Sequence, residues 1–108
     1  MKLRYLVLSI LTCVCAFGKP VTLVWNDNSS DELGFRIERS IVGQPFVEIG
    51  VVGVNVITFV DDISTPGVRY SYRVCAYNAA GKSGYSNVVE YMYDPNAPSN
   101  AVIKLTIP

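Results

Sequence analysis

The sequence predicts an all-β sandwich or barrel, and three observations predict it. From Lys19 onward no stretch keeps an apolar stripe at i, i+3, i+4 over a useful length. Short runs of alternating apolar and polar residues fill the chain instead. Clusters of Gly, Pro, Asn, Asp and Ser separate those runs.

Bulk composition narrows the class further. A chain of 108 residues suits one domain. Half of the residues are apolar and 17% are charged, which fits a folded chain rather than a disordered one. Nine basic residues balance nine acidic ones, so no basic surplus argues for nucleic acid or anionic lipid. There is no histidine. That removes Ser–His–Asp and Cys–His catalysis, the usual neutral-pH proton shuttle and the commonest zinc ligand.

Residues 1–18 read as a secretory signal peptide. Lys2 and Arg4 form a basic start, and Leu6 to Phe17 carries no charge. "AFG" at Ala16–Gly18 offers small residues for cleavage, with "VCA" at Val14–Ala16 as a second option. The uncharged run is short for a membrane span, which needs roughly twenty residues. An uncleaved anchor is the alternative. Lipidation at Cys13 or Cys15 is a weaker one, because neither site has a good lipobox around it. Removing Lys2 and Arg4 leaves seven basic against nine acidic residues, a formal charge of −2. Only Cys75 then remains, so the exported chain has no internal disulfide and relies on its core.

The elements follow in order. "VTLVW" places Val21, Leu23 and Trp25 on one face. Asn26 to Gly34 is a cluster of turn formers. "FRIERS" turns Phe35 and Ile37 inward and Arg36 and Glu38 outward. "VGQP" reverses the chain, and "FVEIGVV" and "VITFV" are two more short strands. "DDISTPG" reads as a corner. "RYSYRVCAYN" is the longest alternation, with Tyr70, Tyr72, Val74 and Ala76 opposite Ser71, Arg73, Cys75 and Tyr77. "AAGKSG" is a Gly-rich loop, and "YSNVVEYMY" closes the set with Val89 and Tyr91 inward. "DPNAPSN" reads as a linker, since its prolines and asparagines resist helix and sheet alike. "SNAVIKLTIP" then supplies one more amphipathic strand.

Taken together, "VTLVWNDNSSDELGFRIERS" and "PGVRYSYRVCAYNAAGKSGYSN" resemble a fibronectin type III domain over Val21 to Tyr91. The wording is similar to modules of secreted bacterial proteins. The resemblance implies an immunoglobulin-like β-sandwich with Trp25 buried on strand B and Tyr70 as the corner tyrosine. An immunoglobulin domain is the runner-up, but the cysteine pair across the sheets is missing. Ile63 lies seven residues before Tyr70, one more than the family's corner leucine. At the front, only Lys19 and Pro20 separate the leader from strand B. The expected layout is therefore residues 19–93 as strands B to G with strand A absent, and residues 94–108 as a linker and an extra C-terminal strand.

That extra strand admits three arrangements. It folds back on its own domain, parallel to strand B or as a hairpin with strand G. It fills the strand A site of another copy, head to tail. Or it is a free end. The seven residues Asp94–Asn100 reach at most about 23–25 Å, enough to cross a sandwich about 10 Å thick.

Candidate sites are few. Asp27, Asp31 and Glu32 offer oxygen ligands for Ca²⁺ but match no EF-hand spacing, and turn chemistry explains them. Asp61 and Asp62 are neighbours in sequence, so their side chains point apart and make no acid–base pair. Asn28-Ser29-Ser30 is a glycosylation sequon. Arg36, Glu38, Arg73 and Tyr77 share an outer sheet face and pair across strands. Cys75 sits on that face too: partly exposed it could form an intermolecular disulfide, and as a small filler it would do no more than pack. Candidate partner contacts are Lys82, Tyr85 and Tyr77, with Ile103, Leu105 and Ile107 should the tail self-associate. No cofactor, metal site or nucleic acid partner is expected, and no membrane span in the mature chain. The expected function is that of a non-enzymatic module, secreted or held in the periplasm or at the cell surface, for recognition of or adhesion to a protein or glycan. A spacer or accessory module of a polysaccharide-degrading or envelope system is the alternative, and a head-to-tail structural subunit a further one.

Overall fold

The computed structural model describes residues 19–28, 30–63, 65–94, 96 and 101–108. The leader, Ser29 of the sequon and most of the linker lie outside the described residues.

Among the described residues eight strands form two sheets: β1 (Lys19–Trp25), β2 (Gly34–Ile41), β3 (Val47–Gly53), β4 (Thr58–Ile63), β5 (Arg69–Asn78), β6 (Gly81–Lys82), β7 (Val89–Met92) and β8 (Ala101–Leu105). One sheet has the order β4-β1-β8. The other runs β3-β2-β5, with β6 and β7 both paired to β5. The two sheets pack face to face as an immunoglobulin-like β-sandwich.

The alternation seen in the sequence decides which side chains meet between the sheets. Val21, Leu23 and Trp25 of β1 face Phe35 and Ile37 of β2 and Tyr70, Tyr72, Val74 and Ala76 of β5. Trp25 and Phe35 stack at 5.6 Å in a tilted arrangement. Val89 and Tyr91 pack inward against this core as expected. Gly50 also faces inward, where a β-carbon would collide with the Phe59 ring, so Phe59 occupies the space that a side chain at position 50 would fill.

Two local expectations need correction. The expected corner at Asp61–Asp62 is strand, because β4 continues to Ile63. Asp61 tolerates its inward position because Arg39 and Tyr72 bond its carboxylate, while Asp62 points to solvent. The Gly-rich loop contains the two-residue strand β6. Beyond it, Ser83 and Ser86 stand in for a regular ladder: Val74 N–H donates to Ser86 Oγ at 2.9 Å, and Ala76 N–H to Ser83 Oγ at 3.0 Å.

The additional strand folds back on its own chain. β8 runs parallel to β1, with Val21 opposite Ala101 and Trp25 opposite Leu105. Ile103, Leu105 and Ile107 are buried in the shared core. Each such burial stabilises the fold by roughly 1.5–3 kcal/mol. Past Leu105 the ladder is continued by side-chain amides. Ile107 N–H donates to Asn26 Oδ1 at 2.8 Å, and Asn26 Nδ2 returns a bond to Ile107 O at 3.0 Å. On the other side, Thr106 N–H donates to Asn87 Oδ1 at 2.7 Å. Asn26, which reads as a turn former, and Asn87, which reads as part of a strand run, thus hold the tail in place.

Candidate interaction surface

The outer face of the five-stranded sheet carries an array of charged and aromatic groups. Register explains it. Glu38 of β2 lies directly opposite Arg73 of β5 and Glu48 of β3, and Arg36 lies opposite Cys75 and Val51. The two facing glutamates would repel. Each instead takes its own arginine: Arg73 bonds Glu38 at 2.8 Å, and Arg36 bonds Glu48 at 2.9 Å.

Aromatic rings then fix the guanidinium groups. Arg73 sits between Phe46 and Tyr85, with its Cζ 4.0 Å and 3.8 Å from the ring centres. Arg36 covers Tyr77 at 4.4 Å, its diagonal neighbour across the β2–β5 pair. Stacked cations of this kind gain about 0.5–2 kcal/mol, more as water is excluded. A relay of donors ties the group together. Lys82 Nζ donates to Tyr85 Oη at 3.0 Å, and Tyr85 donates to Glu38 Oε2 at 3.2 Å. The bond to Tyr85 holds the Lys82 ammonium above its ordinary range. The Glu48 bond likewise raises the Arg36 guanidinium.

This layer decides between the two readings of Cys75 in favour of the small filler. The thiol lies on the outer face as the alternation requires, yet it is fully buried. The paired arginines and their rings form a roof over it. Burial pushes its pKa up, which leaves a poorly reactive thiol.

Of the six residues expected to contact a partner, Tyr77, Tyr85 and Lys82 are brought together here. Tyr77 and Lys82 border an open cleft of about 230 Å³ that Asp31, Glu32 and Asn78 also line. Ile103, Leu105 and Ile107 face the core and are not available to a partner while β8 is in place. The acidic residues of the Asn26–Gly34 loop separate into structural tasks. Glu32 is buried and accepts from Asn55 N–H at 3.4 Å, and Asp31 accepts from Asn78 at 3.2 Å. Among the described residues no group of three or more His, Cys, Asp or Glu side chains is placed to hold a metal ion.

A second polar cluster spans the two sheets. Arg39 gives Asp61 bonds at 2.9 and 3.1 Å, and the Tyr72 hydroxyl adds one at 2.8 Å. Burial, then the bond to Asp61, push the Tyr72 phenol well above its ordinary range. The pairing ties β4 of one sheet to β2 and β5 of the other.

The fold thus defines a β-sandwich with one face preassembled from arginine and aromatic side chains. No family model matches the chain, and no curated protein does. No helix among the described residues is long and apolar enough to cross a membrane.

Proposed function

We propose that the chain is a secreted, non-enzymatic recognition module of fibronectin type III kind, and that the roofed face of its five-stranded sheet is what it presents to a protein or glycan at the cell surface or outside the cell. One observation carries this reading: the Arg73 guanidinium is held between Phe46 and Tyr85 and bonded to Glu38 before any partner arrives. Arginine and tyrosine are enriched among the few residues that dominate binding energy at interfaces. Ordering them beforehand lowers the entropy lost on contact. The neighbouring Arg36–Glu48 pair and Tyr77 extend the same surface toward solvent.

A glycan array and a pull-down from the source's extracellular and envelope fractions, run in parallel, test the proposal. Binding by the native chain should weaken at least tenfold in Arg36→Ala and Tyr77→Ala. A ligand held equally well by both variants would move the site elsewhere. No ligand in either assay would favour the spacer role.

A further inference from the structure

The two outer faces of the sandwich are built differently. The five-stranded sheet is roofed by paired charges. The three-stranded sheet is nearly bare: its outward side chains form the in-register rows Asp62–Pro20, Val60–Thr22–Val102 and Thr58–Val24–Lys104. Val60 and Val102 are 55% and 58% exposed. The face carries two charges, Asp62 on β4 and Lys104 on β8. Both are exposed, and neither makes an ion pair among the described residues. They stand at opposite corners of a β-branched patch.

We propose that this face is the contact between two copies of the chain, stacked sheet on sheet about a two-fold axis. Charge complementarity selects a second copy. Strands lie about 4.8 Å apart and rise about 3.3 Å per residue, so Asp62 and Lys104 are separated by two strands and four residues, roughly 16 Å along one diagonal. A two-fold axis in the interface plane, perpendicular to that diagonal, exchanges the two corners. Each Asp62 then meets the other copy's Lys104, and the contact is made twice. The same rotation lays Val60 and Val102 over the half-covered Pro20–Thr22–Val24 row of the other copy. Strands of the two copies cross at roughly 70°, close to the orthogonal class of sheet packing. The patch is small against a standard interface of about 800 Å² per partner, so the dimer is weak and reversible.

Sedimentation equilibrium on the full chain over micromolar to millimolar concentration is the test. The native chain should show a monomer–dimer equilibrium. Asp62→Lys and Lys104→Asp should each weaken it about tenfold, because each loses two ion pairs and gains two repulsions. The double variant Asp62→Lys with Lys104→Asp should restore it. Both positions are exposed strand sites, and melting curves will show that the variants fold. A native chain that stays monomeric at millimolar concentration overturns the proposal, as do single reversals without effect or a double variant without rescue. A dimer insensitive to the reversals but lost in Lys104→Pro would lie on the β8 edge and also overturn it.

Discussion

Asn26 is expected to hold the β8 segment more firmly than its place in a turn suggests. Its side chain bonds both the N–H and the C=O of Ile107, at 2.8 and 3.0 Å. That reproduces with one amide what a further residue pair of the β1–β8 ladder would provide. Asn26→Ala removes both bonds: the Ile107 N–H is left to find water, while the Ile107 C=O keeps the bond from Asn28 Nδ2 at 3.3 Å. A net hydrogen bond is worth about 1 kcal/mol, so the loss is about 2 kcal/mol. For a domain of this size, 1 kcal/mol lowers Tm by about 4–8 °C, giving a fall of about 8–16 °C. Urea denaturation would give the free energy directly, with an unchanged slope if the variant still unfolds in one step. Amide exchange should locate the effect: protection should drop across Val102–Ile107 while β2 and β5 stay protected. A loss below about 0.5 kcal/mol with unchanged exchange at Ile107 would refute the claim that side-chain amides close this ladder.

Three further outcomes are expected. Leu105→Ala should cost about 2–5 kcal/mol by chemical denaturation, because Leu105 is fully packed between β1 and the opposite sheet; a cost under 1 kcal/mol would mean that β8 is loosely seated. Stability should fall as pH rises through about 10, with a slope approaching 1.4 kcal/mol per unit, because the unfolded chain releases the Tyr72 proton there while the folded chain retains it. Tyr72→Phe should flatten that slope, and an unchanged slope would assign it to another group. In the native chain Cys75 should react with a bulky thiol reagent only as fast as the protein unfolds, and Arg73→Ala should release that protection; rapid reaction of the unmutated chain would show that the arginine roof is open.

Which parts of this structure could be read in advance depends on the range of the physics involved. The period-2 pattern in Val21–Trp25 and Arg69–Asn78 is local, and it placed Trp25, Tyr70, Tyr72 and Val74 in the core. The same alternation put Arg36, Glu38, Arg73 and Tyr77 on one outer face. It did not reveal that stacked arginines would bury Cys75, because burial on that face depends on Phe46 and Tyr85, which arrive from other segments. Asp61 misled for a similar reason. Two adjacent aspartates followed by Ser, Thr, Pro and Gly look like a corner. Only the register of β4 against β1 and the reach of Arg39 from the other sheet make strand the better solution. Asn26 reads as a turn former and Asn87 as part of the last strand run, because the partners that fix their roles lie 81 and 19 residues away.

The direction of β8 follows from strand parity. β1 runs toward the pole that holds the Asn26–Gly34 loop, and β2, β3, β4, β5 and β7 alternate from there through antiparallel pairings and the packed sheets. β7 therefore finishes beside the start of β1, as the bond from Gly67 N–H to Tyr93 O at that pole and the 5.8 Å approach of Lys19 to Tyr93 also show. A segment that crosses to the other sheet there can rise only parallel to β1. An antiparallel strand in the same position would first have to travel the full height of the sandwich, which the seven linker residues can scarcely span. The short tether has a further consequence. It gives β8 an effective concentration at its own β1 edge in the millimolar range. A copy donating its strand head to tail makes the same ladder and must compete with that value, so at micromolar concentration the intramolecular strand wins. At such concentrations self-association of the folded chain falls to surface that β8 leaves exposed, and Val102 and Lys104 are on it.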